Sequence, residues 1–368
     1  MHIVEFTNGT LRFLEHLPAQ APEHGFVWIY VEREKLAEHS ATLQRAAHLL
    51  GGSAVLDLHL QDLGNRAHPS GYDYTSVYDL VIFRRLATEE EVRAETAEAP
   101  LPERGPLKVF AGIRSRPVGF VVFDRLLISV HPEGCYTAES FVRRFLGDAV
   151  QREGATAAAA RNRIPSTPSD LMLRMVNAMV DSYLELRKVL SAELDQWQVL
   201  LLSPKSRETD WRAFLTARTA LHSLEDLSEG QHDAMQEWLD AHREQPLPAG
   251  MQLADRDSLL ARARDVIEHV QRVLHHVRRM EQGAETAIQI HFSALSHRTN
   301  EIMRVLTALT AVFLPLNFIT GFFGMNFEFL PFIHSDKAMW VMLAVMAGIA
   351  LMVIAVFWRK RYLARSGR

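Results

Sequence analysis

Two uncharged stretches near the C-terminus limit what this chain can fold into. Val305–Phe323 (VLTALTAVFLPLNFITGFF) runs 19 residues without a charge, and Ala338–Trp358 (AMWVMLAVMAGIALMVIAVFW) runs 21. At a helical rise of about 1.5 Å per residue, each is long enough to cross a hydrocarbon core of about 30 Å. Residues 1–300 instead alternate charged and apolar positions, as soluble domains do. The tail after the second span carries Arg359, Lys360, Arg361, Arg365 and Arg368, while the linker 326–337 has Glu328, Asp336 and only Lys337 as its cation. Two such spans predict a multi-pass membrane protein, and the excess of cations beside the second orients it. Both termini would be cytosolic and the short linker external.

The opening residues MHIVEFTNGT lack the basic-then-apolar pattern of an export signal. The single cysteine, Cys135, excludes an intrachain disulfide and a cysteine-rich zinc site, and is expected to be a buried small hydrophobe. A net charge of −4 singles out no partner. Gly119 and the Gly51-Gly52 pair sit in no phosphate-cradling pattern, so no nucleotide is expected. Neither a nucleic-acid partner nor a resident cofactor is expected, and without a nucleophile constellation the chain does not read as an enzyme.

The first 132 residues read as α/β. Phe26–Val31, Ala54–Leu58, Leu80–Phe83, Leu107–Ile113 and Phe120–Val130 are β-rich runs, and Arg33–Leu50, Glu89–Thr96 and Thr137–Asp148 have helical composition. From Pro168 onward the pattern is helical. Ser169-Asp170 can cap a helix to about Leu202, a second covers Glu208–Ala241, and a third starts near Ala254 and meets no proline until Pro315. Val266, Ile267, Val270, Val273, Leu274 and Val277 would form the buried stripe of that third helix. His269, His275, His276, His291 and His297 also fall on it, but none makes an i, i+4 pair with another.

The first span has a polar seam. Met303, Leu306, Thr310, Leu314, Asn317 and Gly321 follow one another in steps of 3, 4, 4, 3 and 4. Eighteen residues are about five whole turns, so the six share one helix face. An amide such as Asn317 in hydrocarbon needs a partner or water. A helix–helix interface satisfies that need, and so does a water-filled lumen. The span closes on Gly324-Met325-Asn326. Glycine permits a positive φ and a close backbone approach there, and Asn326 offers an uncharged carbonyl oxygen. A ring of such amides can hold a hydrated divalent cation, because Mg²⁺ sheds its water reluctantly.

Residues Asn300–Pro331 (NEIMRVLTALTAVFLPLNFITGFFGMNFEFLP) resemble the CorA family of magnesium transporters. That family shows an Asn-Glu-x-Met-Lys-x-Leu-Thr opening, a Phe-(Leu/Met)-Pro-Leu core and a Tyr-Gly-Met-Asn-Phe signature. Here Arg304 replaces the usual Lys and Phe323 the usual Tyr, and Leu330-Pro331-Phe332-Ile333 stands where Met-Pro-Glu-Leu is common. Leu58–Leu63, Ser169–Leu184 and the Arg264-Asp265-Val266…His269 segment resemble further family segments, whereas residues 203–252 look like an enlarged helical hairpin.

The resemblance implies a homopentameric funnel in the lipid bilayer of a bacterial-type inner (plasma) membrane. Residues 1–168 would form a cytosolic α/β domain with a mixed sheet flanked by helices, and 169–253 a helical hairpin. Residues 254–325 would be a stalk helix continuous with the pore-lining span (about 305–323). The external loop would be 326–337, the second span 338–358 and the basic tail 359–368. Gly324, Met325 and Asn326 would be the selectivity filter. Asn300, Met303, Leu306, Thr310, Leu314, Asn317 and Gly321 would line the pore. Mg²⁺ would be the substrate, with Co²⁺ and Ni²⁺ as further divalent cations. It would also be a regulatory ligand, bridging Asp62 to Asp265 of a neighbour. Gln61 and Asn177 stand where a second regulatory pair commonly has carboxylates. The alternatives are a related ZntB-like Zn²⁺ transporter, proton-coupled or not, and a membrane-tethered scaffold without transport.

Overall fold

The computed structural model describes residues 1–7, 10–88, 91–92, 108–135, 141, 143, 164–201, 208–245, 253–325 and 336–359. These divide into two compact units, Met1–Glu285 and Thr286–Arg368.

The first unit is built on a seven-stranded sheet. Its strands are β1 (His2–Thr7), β2 (Thr10–Leu14), β3 (Gly25–Glu32), β4 (Gly71–Tyr74), β5 (Asp79–Leu86), β6 (Ser115–Val122) and β7 (Leu126–His131). Their order is β2-β1-β3-β7-β6-β5-β4, and only β3 and β7 run parallel. Around it lie the helices α1 (Leu36–Ala46), α2 (Asp57–Gly64), the short α3 (Lys108–Ala111), α4 (Pro168–Leu201) and α5 (Glu208–Glu244), and α6 (Leu253–Phe323) begins in this unit. The second unit holds the C-terminal part of α6 and the helix α7 (Asp336–Arg359).

The sheet is apolar on both faces because both are covered. Val27, Ile29 and Val31 of β3 join Leu80 and Ile82 of β5 and Ile128 and Val130 of β7 in a core with Leu36, Leu43 and Leu63 from α1 and α2. The alternate residues Trp28, Val81, Phe83 and Phe120 are equally buried. On this second face α4 and α5 cross the sheet, and the Arg84 carbonyl accepts from Tyr183 Oη of α4 (2.9 Å) and Gln231 Nε2 of α5 (2.6 Å). The stripe expected on α6 is buried throughout, from Val266 to Val277. Polar ties fix it to its neighbours: Arg262 to Asp170 of α4 (2.7 Å) and Arg278 to Glu225 of α5 (2.7 Å).

The structure corrects three sequence readings. Ala54–Leu58 is not a strand; Asp57 opens α2. Leu107–Ile113 is not a strand either, since Lys108–Ala111 is a turn of helix, α3. Phe120–Val130 is two strands, β6 and β7, because the chain reverses at Phe123, whose N–H bonds the Leu126 carbonyl. The helices expected at Glu89–Thr96 and Thr137–Asp148 lie largely outside the described residues.

One buried polar group ties α5 to the sheet. His242 Nδ1–H donates to the Trp238 carbonyl (3.0 Å), its ring stacks on Trp238, and Nε2 faces Asp79 Oδ2 at 3.3 Å. Tyr72 Oη donates to the other Asp79 oxygen at 3.1 Å. Burial holds the imidazole below its ordinary value of 6.5 and the carboxyl above its ordinary range. A lowered His contributes stability that is present above its ordinary value and lost as pH falls below it. The raised Asp79 acts oppositely, in the carboxylate range. Replacing His242 with Gln is therefore expected to shrink the fall in melting temperature between about pH 7 and about pH 5. A thermal melt series that drops as steeply as wild type would contradict this.

Candidate functional site: the α6 seam and the Asp62 and Asp265 surfaces

The apolar parts of α6 and α7 are almost entirely uncovered. Their most apolar windows have mean hydropathies of 1.8 and 2.7, with 6% and 0% of their residues buried. The core helix of a soluble protein is excluded by that exposure, since its apolar stripe would be buried. A surface this apolar needs a non-aqueous covering, and both helices are long and apolar enough to cross a membrane.

The covering that exists is one-sided. Within α6, Ala308 is buried, and Arg304, Ala311, Val312, Pro315, Leu316 and Ile319 are partly covered, in a helical repeat. Leu306, Thr310, Leu314, Asn317 and Gly321 are exposed. Each of these lies two residues after a covered one (Arg304, Ala308, Val312, Pro315, Ile319), about 200° around the helix. The seam read from the sequence is thus opposite the face the chain itself covers. Asn300 and Met303 are exposed as well. On α7, Met342, Met346, Ile349, Ala350, Val353 and Phe357 form a similar half-covered stripe.

The polar groups of the first span are partly satisfied within the helix. Thr310 Oγ1 donates to the Leu306 carbonyl (2.9 Å), leaving its oxygen lone pairs toward the exposed seam. Thr307 and Thr320 donate to Met303 and Leu316 (2.7 and 3.1 Å). Such back-bonding meets the hydroxyl's need without a second helix. Pro315 lies within α6 without ending it.

Of the two properties glycine offers at position 324, a positive φ and a close backbone approach, the structure uses the second. Its φ is not positive; the positive-φ glycines among the described residues are Gly25, Gly52 and Gly134. Its N–H instead closes the helix on the Thr320 carbonyl at 2.9 Å, and a Cβ on Gly324 would sit 2.9 Å from that same oxygen. Met325 follows in a bend and is exposed. Asn326 lies outside the described residues. At Gly321 a Cβ would meet nothing within 4 Å, so no contact in the chain itself demands glycine there.

The two acids read as a regulatory pair sit on well-anchored elements of the first unit. Asp62 is on α2. Leu63 beside it packs so closely on Gly119 of β6 that a Cβ there would overlap it. Arg33 donates to the Leu63 carbonyl (3.1 Å) and to the Pro117 carbonyl. Desolvation pushes its guanidinium down to about 10. Asp62 Oδ1 lies 3.6 Å from His68 Nε2. Asp265, on α6, lies 3.7 Å from His269 Nε2, and the other ring nitrogen of His269 reaches Asn177 Oδ1 (3.1 Å) and Asp181 Oδ1 (4.0 Å) on α4. Sequence reasoning missed Asp181. Its signal was position, four residues and one helical turn after Asn177, whose amide donates to it at 3.4 Å.

Known proteins resemble this chain in sequence and in fold. The cobalt/magnesium transport protein CorA of Thermotoga maritima is 28% identical over 193 residues, 52% of each chain. The CorA of Methanocaldococcus jannaschii is 32% identical over 76 residues, 21% of this chain and 24% of that protein. The aligned stretches thus span about half, or less, of these relatives' length. Among solved structures, the complete CorA magnesium transporter from M. jannaschii superposes with a TM-score of 0.70 at 18% identity, covering 100% of this chain and 98% of its own. The full-length CmaX protein superposes at 0.65 and 16% identity, covering 98% and 97%. These likenesses establish a shared fold. The CorA-like Mg²⁺ transporter protein family matches residues 23–361, and this chain belongs to that family.

Proposed function

We propose that the chain is a divalent-cation channel of the membrane, passing Mg²⁺ foremost and Co²⁺ and Ni²⁺ as well. Five copies surround a conduit lined by the α6 seam. The observation that carries this reading is the uncovered polar seam lying opposite the covered face of α6 and leading to Gly324. In a closed ring of copies that seam faces the axis. Thr310 and Asn317 then present oxygens to water, and Met303 and Leu306 form a narrow apolar constriction that gates by dewetting. Asn326 of each copy contributes a carbonyl to the outer mouth, hydrogen-bonding the ion's hydration shell rather than replacing it. An inside-negative potential supplies about 4.6 kcal/mol per 100 mV for a divalent ion, twice the value for a single charge. No further energy source is required.

Closure is assigned to cytosolic Mg²⁺ bridging Asp62 of one copy to Asp265 of the next. Two carboxylates brought together repel unless a cation lies between them. Loss of the ion releases the ring, a shift between populations driven by differential ion binding.

Proteoliposomes holding the purified protein are expected to take up Mg²⁺ under an inside-negative potential, with or without a pH gradient, and Asn326→Ala is expected to abolish that uptake in an intact oligomer. Proton-dependent Zn²⁺ flux without Mg²⁺ flux would instead establish the zinc-transporter reading. The closure mechanism has its own test: Asp265→Ala is expected to lose Mg²⁺-dependent protection against proteolysis. Full protection in that variant would rule out the bridge.

A further inference from the structure

A second cluster of metal-ligating groups lies away from Asp62 and Asp265, where α5 meets α6 inside the first unit. His222 and Glu225 stand three residues apart on one face of α5, and Glu281 reaches them from α6. His222 Nδ1 lies 3.7 Å from Glu281 Oε1, and one ligand atom of each of the three side chains falls within 4.8 Å of the other two.

Glu225 and Glu281 each bring a carboxylate oxygen into this cluster, within 4.8 Å of one another. Their shared contact pulls Glu225 below and pushes Glu281 above the ordinary carboxylate range. Glu225 has a cationic partner, since Arg278 Nε donates to its Oε1 at 2.7 Å while the rest of that guanidinium pairs with Glu229. Glu281 meets Glu225 and the His222 imidazole, and Arg218 acts on it through space. Close carboxylates repel, and a divalent ion held between them relieves this.

We propose that His222, Glu225 and Glu281 form a binding site for a divalent transition metal ion of the Zn²⁺, Co²⁺ or Ni²⁺ class, clipping α5 to α6. One imidazole with two carboxylates suits these ions, whereas Mg²⁺ prefers oxygen ligands alone. Metal–ligand bonds of about 2.0–2.2 Å place donor atoms about 3.3 Å apart around a four-coordinate ion. The cluster closes to that spacing by side-chain rotation, which His222, 64% exposed, is free to make. Water completes the coordination sphere. The Arg278 guanidinium stays on Oε1 of Glu225, which leaves Oε2 for the ion. The site does not depend on the transport reading, because binding alone reports it.

The test is equilibrium dialysis of the purified, chelator-stripped full-length protein against Zn²⁺ in a large excess of Mg²⁺, which occupies all-oxygen sites. Wild type is expected to retain one Zn²⁺ per chain more than His222→Ala. Glu281→Gln is expected to bind this ion at least tenfold more weakly and to melt no lower than wild type in chelator, since it removes one of two opposed acids. Asp265→Ala is expected to keep the ion. Equal retention by His222→Ala and wild type would overturn the proposal, as would no Zn²⁺ retained by wild type. A Glu281→Gln variant that keeps full affinity would overturn it too.

Discussion

The backbone hydrogen-bond ladder of α6 is the constraint on which the rest depends. It continues from Leu253 to Phe323, while the surface built on it changes from one buried stripe to an apolar surface exposed on nearly every side. A backbone in hydrocarbon must satisfy its polar groups within the helix, so the ladder has to survive Pro315. The early part of the helix is fixed by burial of Val266, Val270, Val273 and Val277 and by charged ties from Arg262 and Arg278. The later part has no such packing, and Thr307, Thr310 and Thr320 return their hydroxyl protons to the helix itself. Such a helix can present an amide, Asn317, on its uncovered side.

Much of this was legible because long helices advertise themselves. A period of 3.6 sustained through Val266–Val277 has few competing explanations, and the stripe is buried as read. The polar seam followed from the same arithmetic, and the one-sided covering of α6 adds what arithmetic alone could not supply, namely which side the chain covers. The sheet was harder to read. β1 and β2 carry Glu5 and Arg12, paired across the strands at 2.6 Å, so their charges mask the alternation. β4 is four residues at the sheet edge and too short for a pattern. Leu107–Ile113 has strand composition, yet Lys108–Ala111 is helical, because a short apolar run does not state its own period.

The acids show a similar limit. Asp62 and Asp265 were found through family resemblance, and their histidine neighbours His68 and His269 came only with the fold. Glu281 lies 56 residues from Glu225 in sequence and beside it in space, so no spacing rule could join them. Gly324 was singled out for a positive φ and for close backbone approach, and only the second holds. Close approach to the Thr320 carbonyl, not a positive φ, is what requires glycine there.

Cysteine reactivity tests the central claim, that the uncovered face of α6 lines a water-filled cation path. The only native cysteine, Cys135, is buried, so the background is low. Single cysteines at Thr310 and Asn317, treated with a membrane-impermeant cationic thiol reagent in proteoliposomes, are expected to react and to block divalent-cation uptake. Cysteines at Ala308 and Leu316, on the covered face, are expected to remain unreactive. Equal labelling of the two faces, or labelling of Thr310 and Asn317 positions that leaves uptake unchanged, would contradict the account.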